Sequence, residues 1–204
     1  MAVITISRQY GAGGRTLGRM VAQKLGYTFA DSEIIERLAT EARVSPQWVE
    51  SFEKEAGSRL SRFVSSMVAK KWVDRVLKDE HGYLDEQSYL DYLVLIIAQV
   101  ADEGNVVILG RGSQYILNDH PDAYHILLVD EAANRIKFLM ERQGHPEARA
   151  AALVESEDRR RAKLYGRLGK SDFDTPQLYH LVINMARLSL DRACDLVCRL
   201  SGEC

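Results

Sequence analysis

The segment Ser7-Arg-Gln-Tyr-Gly-Ala-Gly-Gly-Arg-Thr16 holds the residue types best suited to chemistry. Gly11, Gly13 and Gly14 allow positive φ and let successive backbone N–H groups converge on one anion. A helix starting near Arg15 would aim its N-terminal dipole at the same point. Against the phosphate-binding pattern G-x-x-x-x-G-K-[ST], Arg15 stands at the lysine and Thr16 at the Mg²⁺-binding hydroxyl, while Gln9 replaces the first glycine. Gly11, Ala12, Gly13, Gly14, Arg15 and Thr16 are thus the candidate phosphate contacts, with Thr16 the candidate metal ligand. An arginine at the lysine position supplies a planar fork, better at holding two oxygens than at moving with one.

Three further places carry charge where chemistry could use it. Asp31 follows a short strand-like run, Tyr27–Ala30. Arg111 leaves the apolar run Val106–Leu109 between Gly110 and Gly112, a position with few structural excuses for a cation. Asp158-Arg-Arg-Arg161, with Lys163, Tyr165 and Arg167 beyond, lies in a charged helical stretch; there Asp158 and Arg161 share a face, as do Arg160 and Lys163. On its own such a stretch reads as a solvated helix face.

Other residue types offer less. His81, His120, His125, His145 and His180 show no ligand spacing and belong at surface or core positions. Trp48, Trp72 and the tyrosines at 83, 89 and 92 could stack on a base, although a helical core is the simpler place for them. Cys194, Cys198 and Cys204 form no C-x-x-C pair and read as reduced thiols.

The elements that must position these residues follow from apolar periodicity. Ala2–Ile6 reads as a strand, the glycines as a turn, and Leu17, Met20, Val21 and Leu25 as one face of a helix ended by Gly26. From Ser32 to Glu103 the pattern is helical: Ser45-Pro46 starts one helix, and Tyr89, Leu93, Ile96, Ile97 and Val100 stripe another that stops at Gly104. Val106–Leu109 and Tyr124–Val129 are continuous apolar runs suited to doubly covered strands. Asp130 caps a helix carrying Ile136, Leu139 and Met140. Pro146–Arg167 is the charged helix, Leu178–Ile183 a last strand and Ser189–Leu200 a last helix. Strands alternating with helices predict an α/β fold, a parallel sheet flanked by helices in three layers, with a helical insertion.

A chain of 204 residues fits one domain. We expect a single unit over 1–204, with the insertion at about 32–103 and a charged region at about 146–169. Lys plus Arg total 27 and Asp plus Glu 29, so a formal charge of -2 argues against bulk binding to nucleic acid or membrane. Met1-Ala-Val-Ile-Thr-Ile shows no basic leader and turns polar at once, and Leu93–Ala98 is the longest apolar stretch, so a cytoplasmic location is expected.

Taken together, the blocks Ile6–Arg15, Phe29-Ala-Asp31, Val106–Ser113 and Asp158–Arg161 resemble the cytidylate-kinase-like family of P-loop nucleoside monophosphate kinases. The resemblance runs over most of the chain and includes the Leu181–Asp191 segment. It implies transfer of a phosphoryl group from ATP, with Mg²⁺, to a small phosphorylated acceptor, CMP or dCMP in the first instance. It also implies that Arg111 grips the acceptor phosphate and that Asp31 faces either the acceptor or the Mg²⁺ shell, besides capping a helix from Ser32. The Asp158–Arg161 stretch would be a lid whose arginines fold over the phosphates. Arg161 is the expected contact because the family places Arg three residues after an Asp, and Asp158 is placed with the acceptor. Arg15 and Arg161 would then be the catalytic cations, and the insertion would select the acceptor. Gly112 departs from the family's Gly-Arg-Asp and leaves the base unspecified. Two other functions fit the same residues: a nucleotide-binding regulatory domain that does not catalyse, and a kinase for a non-nucleotide metabolite.

Overall fold

The computed structural model describes residues 2–31, 86–168 and 173–202, with the backbone alone for 86–92. The chain divides into two compact units, Met1–Asp31 with Asn105–Cys204, and Ser32–Gly104. Ser45-Pro46, Trp48, Trp72 and Tyr83 lie outside the described residues, as do the side chains of Tyr89 and Tyr92.

The first unit is built on five strands, β1 Val3–Arg8, β2 Thr28–Ala30, β3 Val106–Leu109, β4 Ala123–Val129 and β5 Leu181–Asn184. All are parallel, in the order β2-β3-β1-β4-β5. β1 is central. It pairs with β3 from Val3 opposite Val106 to Ile6 opposite Leu109, and with β4 as far as Arg8 opposite Leu128. The strand therefore runs two residues past the apolar run that announces it, because its ladder with β4 continues through Ser7 and Arg8. At the other edge, Pro176 opens a 3₁₀ turn, Pro176–Leu178, so β5 starts at Leu181 and not at Leu178.

The described helices are α1 Gly14–Leu25, α2 Glu86–Glu103, α3 Ser113–Ile116, α4 Ala132–Gln143, α5 Glu147–Arg167 and α6 Leu190–Leu200. Ser189 caps α6, its hydroxyl accepting from the Arg192 N–H at 3.4 Å. Asp130 stands just outside α4, its carboxylate accepting from the Glu131 N–H at 2.7 Å and from Asn134 at 2.9 Å. The short α3 has no sequence signal, being a single turn that follows Gly112. In the second unit, α2 buries Leu93, Ile96 and Ile97, and also Leu95, Ala98 and Ala101, a wider face than its apolar stripe suggests. No described helix is long and apolar enough to cross a membrane.

The two faces of the sheet differ in chemistry. On one, Ile4, Ile6, Val107, Leu109, Ile126, Leu128 and Ile183 pack against Leu17 and Val21 of α1 and Ala193, Cys194, Val197 and Cys198 of α6. Each large aliphatic side chain buried there contributes about 1.5–3 kcal/mol. The opposite face carries polar groups in its depth. The buried Thr5 hydroxyl and His125 Nδ1 share a hydrogen bond of 2.7 Å, and Ser7 Oγ meets the Tyr165 hydroxyl at 3.1 Å. Burial, reinforced by nearby His180, pulls His125 down to about 4. A smaller apolar cluster of Leu139, Ala150 and Val154, with Tyr10 against it, joins α4 to α5. That pairing is what brings the charged helix to the end of β1.

Candidate active site

The glycine-rich turn leaves β1 at the carboxyl edge of the sheet, where α/β proteins gather their ligands. Gly11 and Gly13 take φ of 87° and 80°. α1 starts at Gly14, one residue before the expected Arg15, and its first ladder bond runs from the Leu17 N–H to the Gly13 carbonyl at 2.9 Å. The N–H groups of Gly14, Arg15 and Thr16 thus lie ahead of the ladder, at the positive end of the helix dipole. Ala12 is buried and Thr16 exposed.

Gln9, the misfit at the first glycine, has a structural task. Its N–H donates to the Leu128 carbonyl at 3.1 Å, and its side-chain Oε1 accepts from the Asp130 N–H at 2.9 Å, fastening the turn to the end of β4. Asp158 fastens the other side. One carboxylate oxygen accepts from the Tyr10 N–H at 3.0 Å and the other from Arg135 Nη1 at 2.6 Å, while the same Nη1 donates to the Tyr10 carbonyl at 3.1 Å. Arg135 is buried, and a side chain at Gly11 would press on its backbone and Cβ. Both Asp158 oxygens are therefore engaged in holding the turn. Arg135 is a residue that sequence reasoning misses, since nothing in its helical spacing separates it from a solvated arginine.

Beyond the turn, Arg161, Arg111 and Arg15 lie near enough to Arg8 for their charges to act on it. Arg15 Nη2 stands 3.5 Å from the Asp31 carboxylate; the Arg15 side chain is 47% exposed and that of Asp31 only 7%. Arg161 forks onto Asp174 through two parallel bonds of 2.9 and 2.6 Å, with the Tyr165 and Phe173 rings each 5.7 Å away. Burial works against its charge, yet Tyr165 and then Asp174 hold Arg161 above its ordinary value. Asp174, with φ of 64°, is the second residue the sequence hides.

Arg8 is the third. Burial is the main cause pulling its guanidinium below the ordinary value; Tyr165 opposes this, and Arg161, Arg111 and Arg15 add to it by repulsion. A cation at the end of an apolar strand, just ahead of three glycines, was the available signal.

Arg111 sits in a run of left-handed residues, with Gly110, Arg111 and Gly112 at φ of 73°, 57° and 72°. A non-glycine residue there stores about 1 kcal/mol of strain. A Cβ at Gly112 would lie 2.5 Å from Leu168 Cδ1, so an Asp there would need that side chain to shift and would itself take a left-handed φ. Behind this turn Tyr165 is fully buried, edge-on to Tyr115 at 5.2 Å, and Gln114 donates to the Tyr179 hydroxyl at 3.3 Å. Burial, then Tyr165 and Asp174, pushes Tyr115 up to about 12. The structure thus gathers Gly11–Thr16, Asp31, Arg111 and Arg161 at one edge of the sheet and sets Asp158 on the flank of the turn.

Among the described residues no group of three or more His, Cys, Asp or Glu could hold a metal ion by itself. The Thr16 hydroxyl in the first turn of α1 and the Asp31 carboxylate beside Arg15 are oxygen donors of the kind a hard cation such as Mg²⁺ takes.

Comparisons with known proteins bear on the fold and the family. Along the full chain, the fold is similar to that of an uncharacterized protein from Eubacterium ventriosum ATCC 27560, at 18% identity, with a TM-score of 0.71 and coverage of 100% of this chain and 99% of the other. It is also similar to a gluconokinase from Sinorhizobium meliloti 1021, at 14% identity, a TM-score of 0.53 and coverage of 98% and 94%. At such identities the likeness concerns the fold, that of P-loop kinases. No curated protein matches the sequence. The model of the cytidylate kinase-like family matches residues 3–187. With nine-tenths of its length matched and a glycine turn at the mouth of its central strand, the chain belongs to the cytidylate kinase-like family.

Proposed function

We propose that the protein transfers the γ-phosphoryl group of ATP to a nucleoside monophosphate, CMP or dCMP in the first instance. The observation that carries this reading is a glycine turn at the carboxyl end of β1, its helix amides ahead of the ladder, with Arg8 lying along it and Arg15, Arg111 and Arg161 near enough to act on the Arg8 charge. The Gly11–Thr16 backbone would hold the β-phosphate, Arg111 would anchor the acceptor phosphate, and Arg15 and Arg161 would face the transferring group. Thr16 would ligate Mg²⁺, with Asp31 in its outer shell or toward the acceptor; the ion, when bound, neutralises charge on the β- and γ-oxygens. The acceptor phosphate is already nucleophilic, so no general base is needed, and positioning with charge neutralisation supplies the rate. Asp174 takes two of the five Arg161 N–H donors, so Arg161 would reach a phosphoryl group with the others or by exchanging Asp174 for phosphate oxygens. Asp158 acts by holding the turn in shape.

A second reading, a nucleotide-binding regulatory domain, is favoured by one observation: both Arg15 and Arg161 rest on carboxylates. Incubation with ATP, Mg²⁺ and a panel of nucleoside monophosphates and small non-nucleotide metabolites separates the two. Product from CMP or dCMP supports the kinase, ATP binding with no product from any acceptor supports the regulator, and product only from a non-nucleotide metabolite would move the acceptor class. Gly112 is the residue that motivates including such metabolites.

A further inference from the structure

The turn holds two arginines where phosphate-binding turns of this pattern carry one lysine, and they point to different places. Arg15, the one in register with the motif, leans toward β2, which lies beyond β3 from β1, and meets Asp31 there. Arg8 leaves the last residue of the central strand and stays at the turn. Its stem lies along Gly14, where a Cβ would come within 2.9 Å of Arg8 Cγ and 3.3 Å of its Cβ and Cδ. Its Nη1 extends across to Gly110, where any Cβ would strike it. One glycine in the turn and one at the exit of β3 therefore leave the room that this single side chain occupies.

We infer that Arg8, and not Arg15, is the cation that holds the transferring phosphoryl group over the turn. The inference rests on the kinase reading and reassigns the role that the motif gives to Arg15. Arg8 is held in the ladder with β4, on a strand that β3 flanks as far as Ile6, so its base is rigid, and its planar fork suits two phosphate oxygens at once. The repulsion that Arg161, Arg111 and Arg15 exert on Arg8 is relieved when a polyanion enters beside it, which directs binding energy to a ligand rich in phosphate. In the transfer, the bond between the γ-phosphorus and the β,γ-bridging oxygen breaks as a bond to an acceptor oxygen forms. Arg8 would hold non-bridging oxygens of the group that moves, while Arg15 steadies Asp31.

The test compares the full-length wild type with Arg8→Gln, Arg8→Lys and Arg15→Gln, each assayed for the melting shift caused by ATP with Mg²⁺ and for turnover with the best acceptor of the panel. Arg8→Gln is expected to lose most of the ATP-induced shift and about 10²–10³-fold in kcat, as removal of a charged donor to a transition state does. Arg8→Lys should recover part of both, and Arg15→Gln should keep most of the shift and lose about tenfold in kcat. The ATP-induced shift is read against each variant's own ligand-free melting point, so a merely structural role for Arg8 would lower that point and leave the shift in place. That result overturns the inference, as does a larger kcat loss for Arg15→Gln than for Arg8→Gln. If Arg8→Gln does not fold, Arg8→Lys against Arg15→Lys decides by the same contrast. A wild type that neither shifts with ATP nor phosphorylates any acceptor takes down the kinase reading itself, and this inference with it.

Discussion

Replacing Asp158 by Ala separates a residue that braces the turn from one that binds the acceptor. Its carboxylate accepts one bond from the Tyr10 N–H at 3.0 Å and one from Arg135 at 2.6 Å. Hydrogen bonds to charged groups contribute about 1.5–3 kcal/mol each, so their sum bounds the loss at roughly 3–6 kcal/mol. The Asp158 side chain is 29% exposed, however, against 9% for Arg135. Water can reach the vacated place and recover part of the loss, which brings the expected cost to about 3 kcal/mol. In a chain of this size that lowers the melting temperature by roughly 6–12 °C. Asp158→Asn keeps an acceptor for Tyr10 and loses the charge facing Arg135, so it should fall between. Urea unfolding of Asp158→Ala, Arg135→Met and the double variant measures the pair directly, and a coupling energy of about 1–3 kcal/mol is expected. A turn without its brace also binds ATP more weakly, while the acceptor's KM at saturating ATP stays within about twofold. Unchanged stability together with a large rise in acceptor KM would refute the brace and return Asp158 to the acceptor.

Other outcomes can be stated briefly. Arg111→Ala should raise the acceptor's KM by about 10²-fold with ATP affinity nearly intact, measured by steady-state kinetics. Arg111→Gly removes the same contact but relieves left-handed strain, so it should melt higher than Arg111→Ala by about 1 kcal/mol of stability in the same calorimetric scan. His125 is buried with its value depressed to about 4, so the unfolded chain binds a proton at His125 that the folded chain refuses. Its contribution is complete above pH 6.5 and is lost as pH falls toward 4, about 3 kcal/mol in all, and His125→Gln should flatten that part of a urea-midpoint profile. Asp174→Ala strips Arg161 of its bidentate partner beside Tyr165 and should destabilise by about 2–4 kcal/mol, seen in thermal unfolding.

Much of the sheet is legible in the residues themselves. Val106–Leu109 and Tyr124–Val129 read as buried parallel strands because a strand covered on both faces has no polar alternation to confuse it. The strand ends were less visible. Ser7 and Arg8 are polar, and only the ladder to β4 shows that they continue β1. The glycine turn could be read because its backbone demands a residue type; Arg135 and Asp174 could not, because an ion pair between residues far apart leaves no spacing in the sequence. The same holds for Asp158, which is helically in register with Arg161 yet turns to Arg135 and Tyr10 in the fold. Gln9 shows the opposite case, a departure from a motif whose reason becomes plain only when its side chain is seen on the Asp130 amide.

The moorings of Gln9 and Tyr10 bear on how discrimination must operate at this turn. A backbone already shaped by three neighbouring elements has little disorder left to surrender when a nucleotide arrives, so ordering cannot serve as the filter between a right and a wrong ligand. Selection there rests on charge and fit alone, and a poor ligand is rejected by how quickly it leaves.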